Sequence, residues 1–274
     1  MECHSAHTIA SAEIEVVGCP IHYSIHGVGQ RPIVLVHGFG AHQMWWHRVV
    51  PLLSDEFSVI TVDLSGNGRS GLRSAYNPEI HAQELAAVAR SVGAGPALVV
   101  GHSMGGRSSV VAAAAEPALF GGLVVLDTGF RTAVRKDDAQ RTVRPQRMYR
   151  TYEEIRERFR LEPPQPALPK DVIDPVAAYA VHQTANGWTW RADLRPPSFS
   201  DTAVNEAWRA VRCPVAYAYG TLSTAPVIES LPVLRGWQPD IDIRPMAGAH
   251  HHLPLERPDE CADVIRTVAA RMRW

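Results

Sequence analysis

The sequence predicts an α/β fold: a mostly parallel eight-stranded sheet flanked by helices, with an inserted, mainly helical segment. Three observations carry this expectation. Short apolar runs alternate with helical patterns from residue 32 to 126, the alternation breaks between 131 and 205, and it resumes from 214 onward. Glu13 to Cys19 and Ile21 to His26 read as an opening antiparallel pair. Pro32 to Val36 and Val59 to Asp63 read as buried strands, with a helix from Trp45 to Leu53 between them. His81 to Val92 is a second helix leading into the strand Ala97 to Val100. The small residues of Ser108 to Ala115 suit a close-packed helix, and Gly122 to Leu126 is another buried strand. After the break come the strand Pro214 to Tyr219, a helix around Val227 to Arg235, the strand Ile241 to Arg244 and a last helix from Pro258 to Arg273. No internal repeat is present. The expected division is a core of residues 1–130 and 206–274, with 131–205 inserted above the sheet as a lid.

With 274 residues, 46% of them hydrophobic and 20% charged, the chain can bury a large single core. Lys and Arg number 27 against 28 Asp and Glu, a net charge of −1 that provides no field for nucleic acid or an anionic membrane. Cys3, Cys19, Cys213 and Cys261 form no C-x-x-C pair, as expected of free thiols in a reducing cytoplasm. Met1 to Glu15 carries no basic segment followed by a long apolar core. No stretch reaches the roughly 18 to 20 uninterrupted apolar residues of a membrane span. The expectation is a soluble, cytoplasmic protein; its oligomeric state stays open, a homodimer included.

Gly101-His102-Ser103-Met104-Gly105-Gly106 follows the apolar run Ala97 to Val100 and opens the small-residue helix. Glycines two residues either side of the serine let a strand turn sharply into a helix, holding Ser103 in a strained, exposed conformation. With His37-Gly38 upstream and a histidine before a C-terminal helix downstream, the chain resembles the serine hydrolases of the α/β-hydrolase superfamily. The resemblance implies a Ser-His-acid triad, an acyl-enzyme intermediate and no cofactor. Epoxide hydrolases and haloalkane dehalogenases of this fold place Asp at the elbow, so Ser103 excludes those branches.

Ser103 needs a base within hydrogen-bond reach and a third group to orient that base. Met246-Ala-Gly-Ala-His-His-His-Leu-Pro-Leu-Glu-Arg-Pro258 resembles the family's Gly-His-x-Leu-Pro-x-Glu-x-Pro stretch. Alignment on Leu253-Pro254 and Glu256-Arg257-Pro258 implies His251 as the base, ahead of His250 and His252. Adjacent histidines in an extended loop point in different directions, and no carboxylate or cysteine stands at a familiar ligand spacing, so no metal is expected. The family holds the oxyanion with two backbone N–H groups, which here implies Met104 and, in His37-Gly38-Phe39-Gly40, Phe39. Asp63-Leu-Ser-Gly-Asn-Gly-Arg-Ser70 resembles the D-x-x-G-x-G-x-S loop after the fourth strand. A structural role falls to Asp63, because the family's acid follows the serine in chain order.

Many members of the family carry that acid a few residues past the seventh strand, in a stretch resembling G-x-x-D. Gly220-Thr221-Leu222-Ser223 has serine at that position. Asp127, at the C-terminal end of the sixth strand, is therefore the expected acid, as in enzymes resembling the zearalenone lactonases; Asp242 and Glu229 are the alternatives.

The expected partner is a small-molecule ester or lactone. Candidate substrate contacts are Gly38, His102, Trp45 and Trp46, with Trp188 and Trp190 from the insertion beside Tyr179, Met148 and Phe159. His42 and Gln43 are further polar candidates. Residues 131–162 carry nine Arg and one Lys against six acids, a net +4 that exposed helices with i,i+4 pairs explain as readily as a carboxylated substrate. Two other functions remain open: carbon–carbon bond hydrolysis, since the meta-cleavage hydrolases share a Ser-Met-Gly-Gly elbow, and ligand reception on a hydrolase scaffold.

Overall fold

The computed structural model describes residues 8–93, 95–130, 147–198, 200–224 and 227–274. Eight strands form one sheet: β1 (Thr8–Val16), β2 (Cys19–His26), β3 (Pro32–Val36), β4 (Ser58–Val62), β5 (Ala97–His102), β6 (Phe120–Leu126), β9 (Val215–Gly220) and β10 (Asp242–Met246). Their order across the sheet is β1-β2-β4-β3-β5-β6-β9-β10, and only β2 runs against the rest. The strands alternate their side chains between two cores. Val34 and Val36 enter the core that holds Leu85, Val110 and Trp208, whereas Ile33 and Leu35 enter the one that holds Val50, Leu53, Ile265 and Val268. Helices α2 (Pro78–Val92), α3 (Met104–Ala115) and α6 (Asp201–Ala210) thus cover one face, and α1 (Val50–Leu53) and α7 (Pro258–Ala269) the other.

The expected helix from Trp45 to Leu53 is two pieces, a 3₁₀ turn at Gln43–Trp46 and α1. Pro51 lacks an N–H and fits only a first helical turn, so a helix must restart just before it. Helix α2 starts three residues before the expected His81 because Asn77 Oδ1 accepts the Ile80 N–H at 2.8 Å.

Between β6 and α6 the described residues form the short helix α4 (Tyr152–Arg156), α5 (Lys170–Tyr179) and an antiparallel hairpin of β7 (Val181–Thr184) and β8 (Gly187–Trp190). The hairpin is a β element that the sequence pattern does not predict within an insertion that is otherwise helical. It is held by Tyr149 and Trp188, which exchange two 2.8 Å backbone hydrogen bonds. The expected boundary at 205/206 falls inside α6, whose Val204 and Trp208 are fully buried in the sheet core. Val204 thus packs in the same core as Trp208. The first part of the expected lid, with Arg131, Arg135, Lys136, Asp137, Asp138, Arg141 and Arg144 of its charge excess, lies outside the described residues, as does Cys3. Among the described residues, no helix is long and apolar enough to cross a membrane, and Cys19, Cys213 and Cys261 are free.

The loop after β4 is organised by Asp63, fully buried at the strand's end. It accepts the Gln43 and Arg69 N–H groups at 2.8 and 3.0 Å and the Tyr179 hydroxyl at 2.6 Å. Burial alone would raise its pKa, but the donors, His22 first among them, hold the carboxyl well below its ordinary range. Gly68 has φ +57°, and a Cβ there would stand 2.1 Å from Asp63 Cγ. Gly68→Ala is expected to destabilise the fold by about 2–3 kcal/mol, read from the denaturant midpoint at constant m-value.

Candidate active site

The elbow is forced by lack of space. A Cβ on Gly101 would lie 2.4 Å from the Gly105 carbonyl oxygen, and one on Gly105 would lie 2.4 Å from the His37 carbonyl oxygen. Only glycines let β5 turn directly into α3. Between them Ser103 takes φ 54°, ψ −121°, a left-handed φ costly for a residue with a side chain. Its N–H donates to the Leu126 carbonyl at 2.9 Å, and Thr128 Oγ1 donates to its carbonyl at 2.9 Å, so the end of β6 clamps the turn.

Three residues distant in sequence meet here. His251 Nε2 lies 3.0 Å from Ser103 Oγ, and His251 Nδ1 lies 2.5 Å from Asp127 Oδ2. Asp127 is fully buried and, like Ser103, sits at positive φ, 46°. Its other oxygen accepts the Gly220 N–H at 2.8 Å, while the Ser223 hydroxyl donates to Oδ2 at 2.6 Å. A carboxylate accepts only, so His251 carries its proton on Nδ1 and presents a lone pair on Nε2 to the serine hydroxyl. The alternatives do not share this position: Asp242 pairs with Arg244 on β10, and Glu229 is exposed.

The profile of the alpha/beta hydrolase family matches residues 33–264, a stretch holding the elbow, Asp127 and His251. The chain belongs to the alpha/beta hydrolase family. It is 29% identical over 251 residues to a 2-(acetamidomethylene)succinate hydrolase of Mesorhizobium japonicum, covering 84% of this chain and 85% of that protein. A solved E-2-(acetamidomethylene)succinate hydrolase superposes with a TM-score of 0.78 at 22% identity, over 96% of this chain and all of the other. Shorter matches, about two fifths of each chain, join it to Esterase Rv0045c of Mycobacterium tuberculosis, 33% identical, and to a 2-hydroxy-6-oxononadienedioate/2-hydroxy-6-oxononatrienedioate hydrolase of Burkholderia vietnamiensis, 36% identical.

In this hydrolase the three adjacent histidines have separate partners. His250 uses its N–H and Nδ1 on the Glu256 carboxylate, at 2.8 and 3.1 Å. His252 Nε2 donates to the Pro163 carbonyl at 3.1 Å, and its Nδ1 faces Trp45 Nε1 at 3.5 Å. His251 alone reaches the serine.

Several expected substrate contacts also take part in packing within the protein. His102 is buried and donates from Nε2 to the His251 carbonyl at 2.8 Å, bracing the histidine loop from below. Trp46 is fully buried, and Trp45 is enclosed by His42, Phe159 and His252. Trp188 packs on Tyr152, and Trp190 on Tyr149 and Phe159, within the insertion. Gly38 does adjoin the serine: a Cβ there would stand 3.1 Å from Ser103 Cβ.

Phe39 follows Gly38 and is partly exposed, and Met104 opens α3, where first-turn N–H groups have no partner inside the helix. Among the described residues neither N–H donates to a protein acceptor. One positioning group escaped the sequence reading. His37 Nε2 accepts the Leu64 N–H at 3.0 Å, so Nδ1 is protonated and donates to the Gly38 carbonyl at 2.7 Å, fixing the loop that presents Phe39. The local signal was a histidine adjoining the loop's glycine, but its partner lies 27 residues away.

Burial keeps four nearby histidines neutral: His42 and His81 are lowered to about 3, His252 to about 4, and His102 well below its ordinary value. Each folded-state pKa is depressed, so the stability is present above the unfolded pKa of about 6.5 and falls as pH drops toward the folded values. The denaturant midpoint is expected to decline as the pH falls from about 6.5 to about 4. A flat profile across that window would contradict it.

Proposed function

We propose that this hydrolase cleaves a carboxylic ester or lactone through an acyl-enzyme formed on Ser103. The observation that carries the reading is the unbroken line of hydrogen bonds from Ser103 Oγ through His251 to Asp127. His251 Nε2 takes the hydroxyl proton as Oγ bonds to the acyl carbon, and the carbonyl oxygen becomes an oxyanion between the Phe39 and Met104 N–H groups. Collapse breaks the bond to the leaving alkoxide, which receives the proton from His251. Water then gives a proton to His251 as its oxygen attacks the acyl carbon; release of the acid returns the proton to Ser103. Asp127 holds the imidazole tautomer and offsets its transient charge, with Gly220 and Ser223 fixing the carboxylate.

The insertion is proposed as a lid over this centre. Tyr179 of α5 reaches Asp63, and Pro163 and Gln165 reach His252, so the same segment touches the loop after β4 and the histidine loop. The Ser-Met-Gly-Gly elbow favours carbon–carbon hydrolysis as the second reading. Aryl esters, lactones and a vinylogous diketone, offered after a fluorophosphonate probe has titrated the serine, separate the two. Ester or lactone turnover is expected. Diketone turnover alone overturns the ester reading, and stoichiometric labelling without any turnover favours ligand reception.

A further inference from the structure

A narrow cleft adjoins the oxyanion loop and is lined in part by Phe39 and Met104. Its wall includes Asn67 from the loop after β4, His81 from α2, and Asp193 and Arg195 from the insertion. None of its lining residues belongs to the His251 loop. A leaving group departs toward the imidazole that protonates it, so a pocket on the oxyanion side, away from that imidazole, receives the acyl part.

Two lining residues carry buried acceptors with no protein partner, Asn67 Oδ1 and His81 Nε2. The Asn67 amide is oriented by Nδ2, which donates to the Ser65 carbonyl at 3.2 Å and so leaves Oδ1 as the unused atom. Ser108 Oγ donates to the Met104 carbonyl at 3.4 Å and therefore accepts from His81 Nδ1 at 3.1 Å, which leaves a lone pair on Nε2. Burial keeps that ring neutral. Buried acceptors without a donor are costly and so favour a ligand that supplies one.

The charged wall does not compete for an anion. Arg195 donates from Nε to Asp193 at 2.8 Å, from Nη1 to the Ser74 carbonyl at 2.9 Å and from Nη2 to the Arg73 carbonyl at 2.5 Å. Asp193 also accepts the Tyr76 hydroxyl at 2.9 Å. Both charges are satisfied by each other and by the protein.

Resting on the ester or lactone reading above, we propose that this pocket binds the acyl part of the substrate through a neutral hydrogen-bond donor, a hydroxyl or an amide N–H, received by Asn67 Oδ1 and His81 Nε2. The substrate class is thus a hydroxyacyl or acylamino-acyl ester.

The test compares kcat/KM for the 4-nitrophenyl esters of butanoic acid, 3-hydroxybutanoic acid and N-acetylglycine, and for the 4-nitrophenyl half-ester of succinic acid. One net hydrogen bond predicts a preference of about 3- to 10-fold for a donor-bearing ester over butanoate. His81→Phe and Asn67→Leu are expected to bring that ratio to about one, and His81→Gln, which keeps an acceptor, to retain part of it. Because the readout is a ratio, any general loss of activity cancels. Equal rates for donor-bearing and plain esters in the wild type, a ratio unmoved by both variants, or preference for the succinate half-ester would each overturn the subsite. Protection of Ser103 against fluorophosphonate by methyl 3-hydroxybutanoate over methyl butanoate reads the same pocket without turnover. A protein that hydrolyses none of the four esters yet shows that selective protection loses the ester reading and keeps the subsite; equal protection overturns the subsite.

Discussion

Ser103→Ala is expected to abolish fluorophosphonate labelling and to lower ester turnover on the order of 10⁵- to 10⁶-fold. The change removes one oxygen atom from a residue whose backbone is clamped independently, by its N–H on Leu126 and its carbonyl on Thr128, so the fold survives it. What disappears is the hydroxyl 3.0 Å from His251 Nε2, the group that forms the covalent bond to an acyl carbon in the proposed mechanism. The residual rate, about 10³- to 10⁴-fold above water, measures the oxyanion donors and binding alone. A variant with intact folding and unchanged turnover would remove the whole mechanism, whereas one with a raised KM and normal kcat would make Ser103 a binding group.

The second large effect is expected at Asp127. Asp127→Asn should lower kcat about 10⁴-fold with little change in KM, because an amide can turn its NH₂ toward His251 Nδ1. The imidazole proton then moves to Nε2, where it faces Ser103, and the base is lost. Ser223 makes this a sharper test than a single substitution. Its hydroxyl already touches Asp127 Oδ2 at 2.6 Å from the position where the family more often carries its acid. Ser223→Asp placed in the Asp127→Asn background is expected to recover part of the lost kcat by returning a carboxylate to the same locus. Full activity in Asp127→Asn would overturn the assignment of the acid; a silent double variant would show that the two positions are not interchangeable here.

The core strands were legible because each buried strand is a local apolar run bounded by glycine or polar turns, as in Pro32–Val36 and Phe120–Leu126. Helix ends were less so. Pro51 breaks the expected helix at a position where only the restart, not the pattern, shows the break. Helix α6 was divided although Val204 and Trp208, four apart, carried the core-facing signal; Ser200, whose hydroxyl caps the helix by accepting the Ala203 N–H, marked its start. The hairpin of β7 and β8 was invisible because its strands are four residues long and are ordered by Tyr149, more than thirty residues before β7. Within the site, the elbow glycines and the alignment that favoured His251 were local signals. The packing roles of His102, Trp45 and Trp46 were not, since burial is a property of neighbours contributed by other parts of the chain.

By itself the sequence determined the features that depend on residues next to one another: the sheet-and-helix alternation, and the tight turn at Ser103 where no Cβ fits at 101 or 105. Tertiary structure decided what those features meet. Asp127 and His251 are 124 residues apart in the chain, Ser223 and Asp127 are 96 apart, and the unpartnered acceptors of Asn67 and His81 gather beside Phe39 and Met104 only once α2, α3 and the insertion have packed. Hydrogen bonds act over about 3 Å, so a chain's local pattern can nominate their partners, but only the folded packing brings those partners within reach.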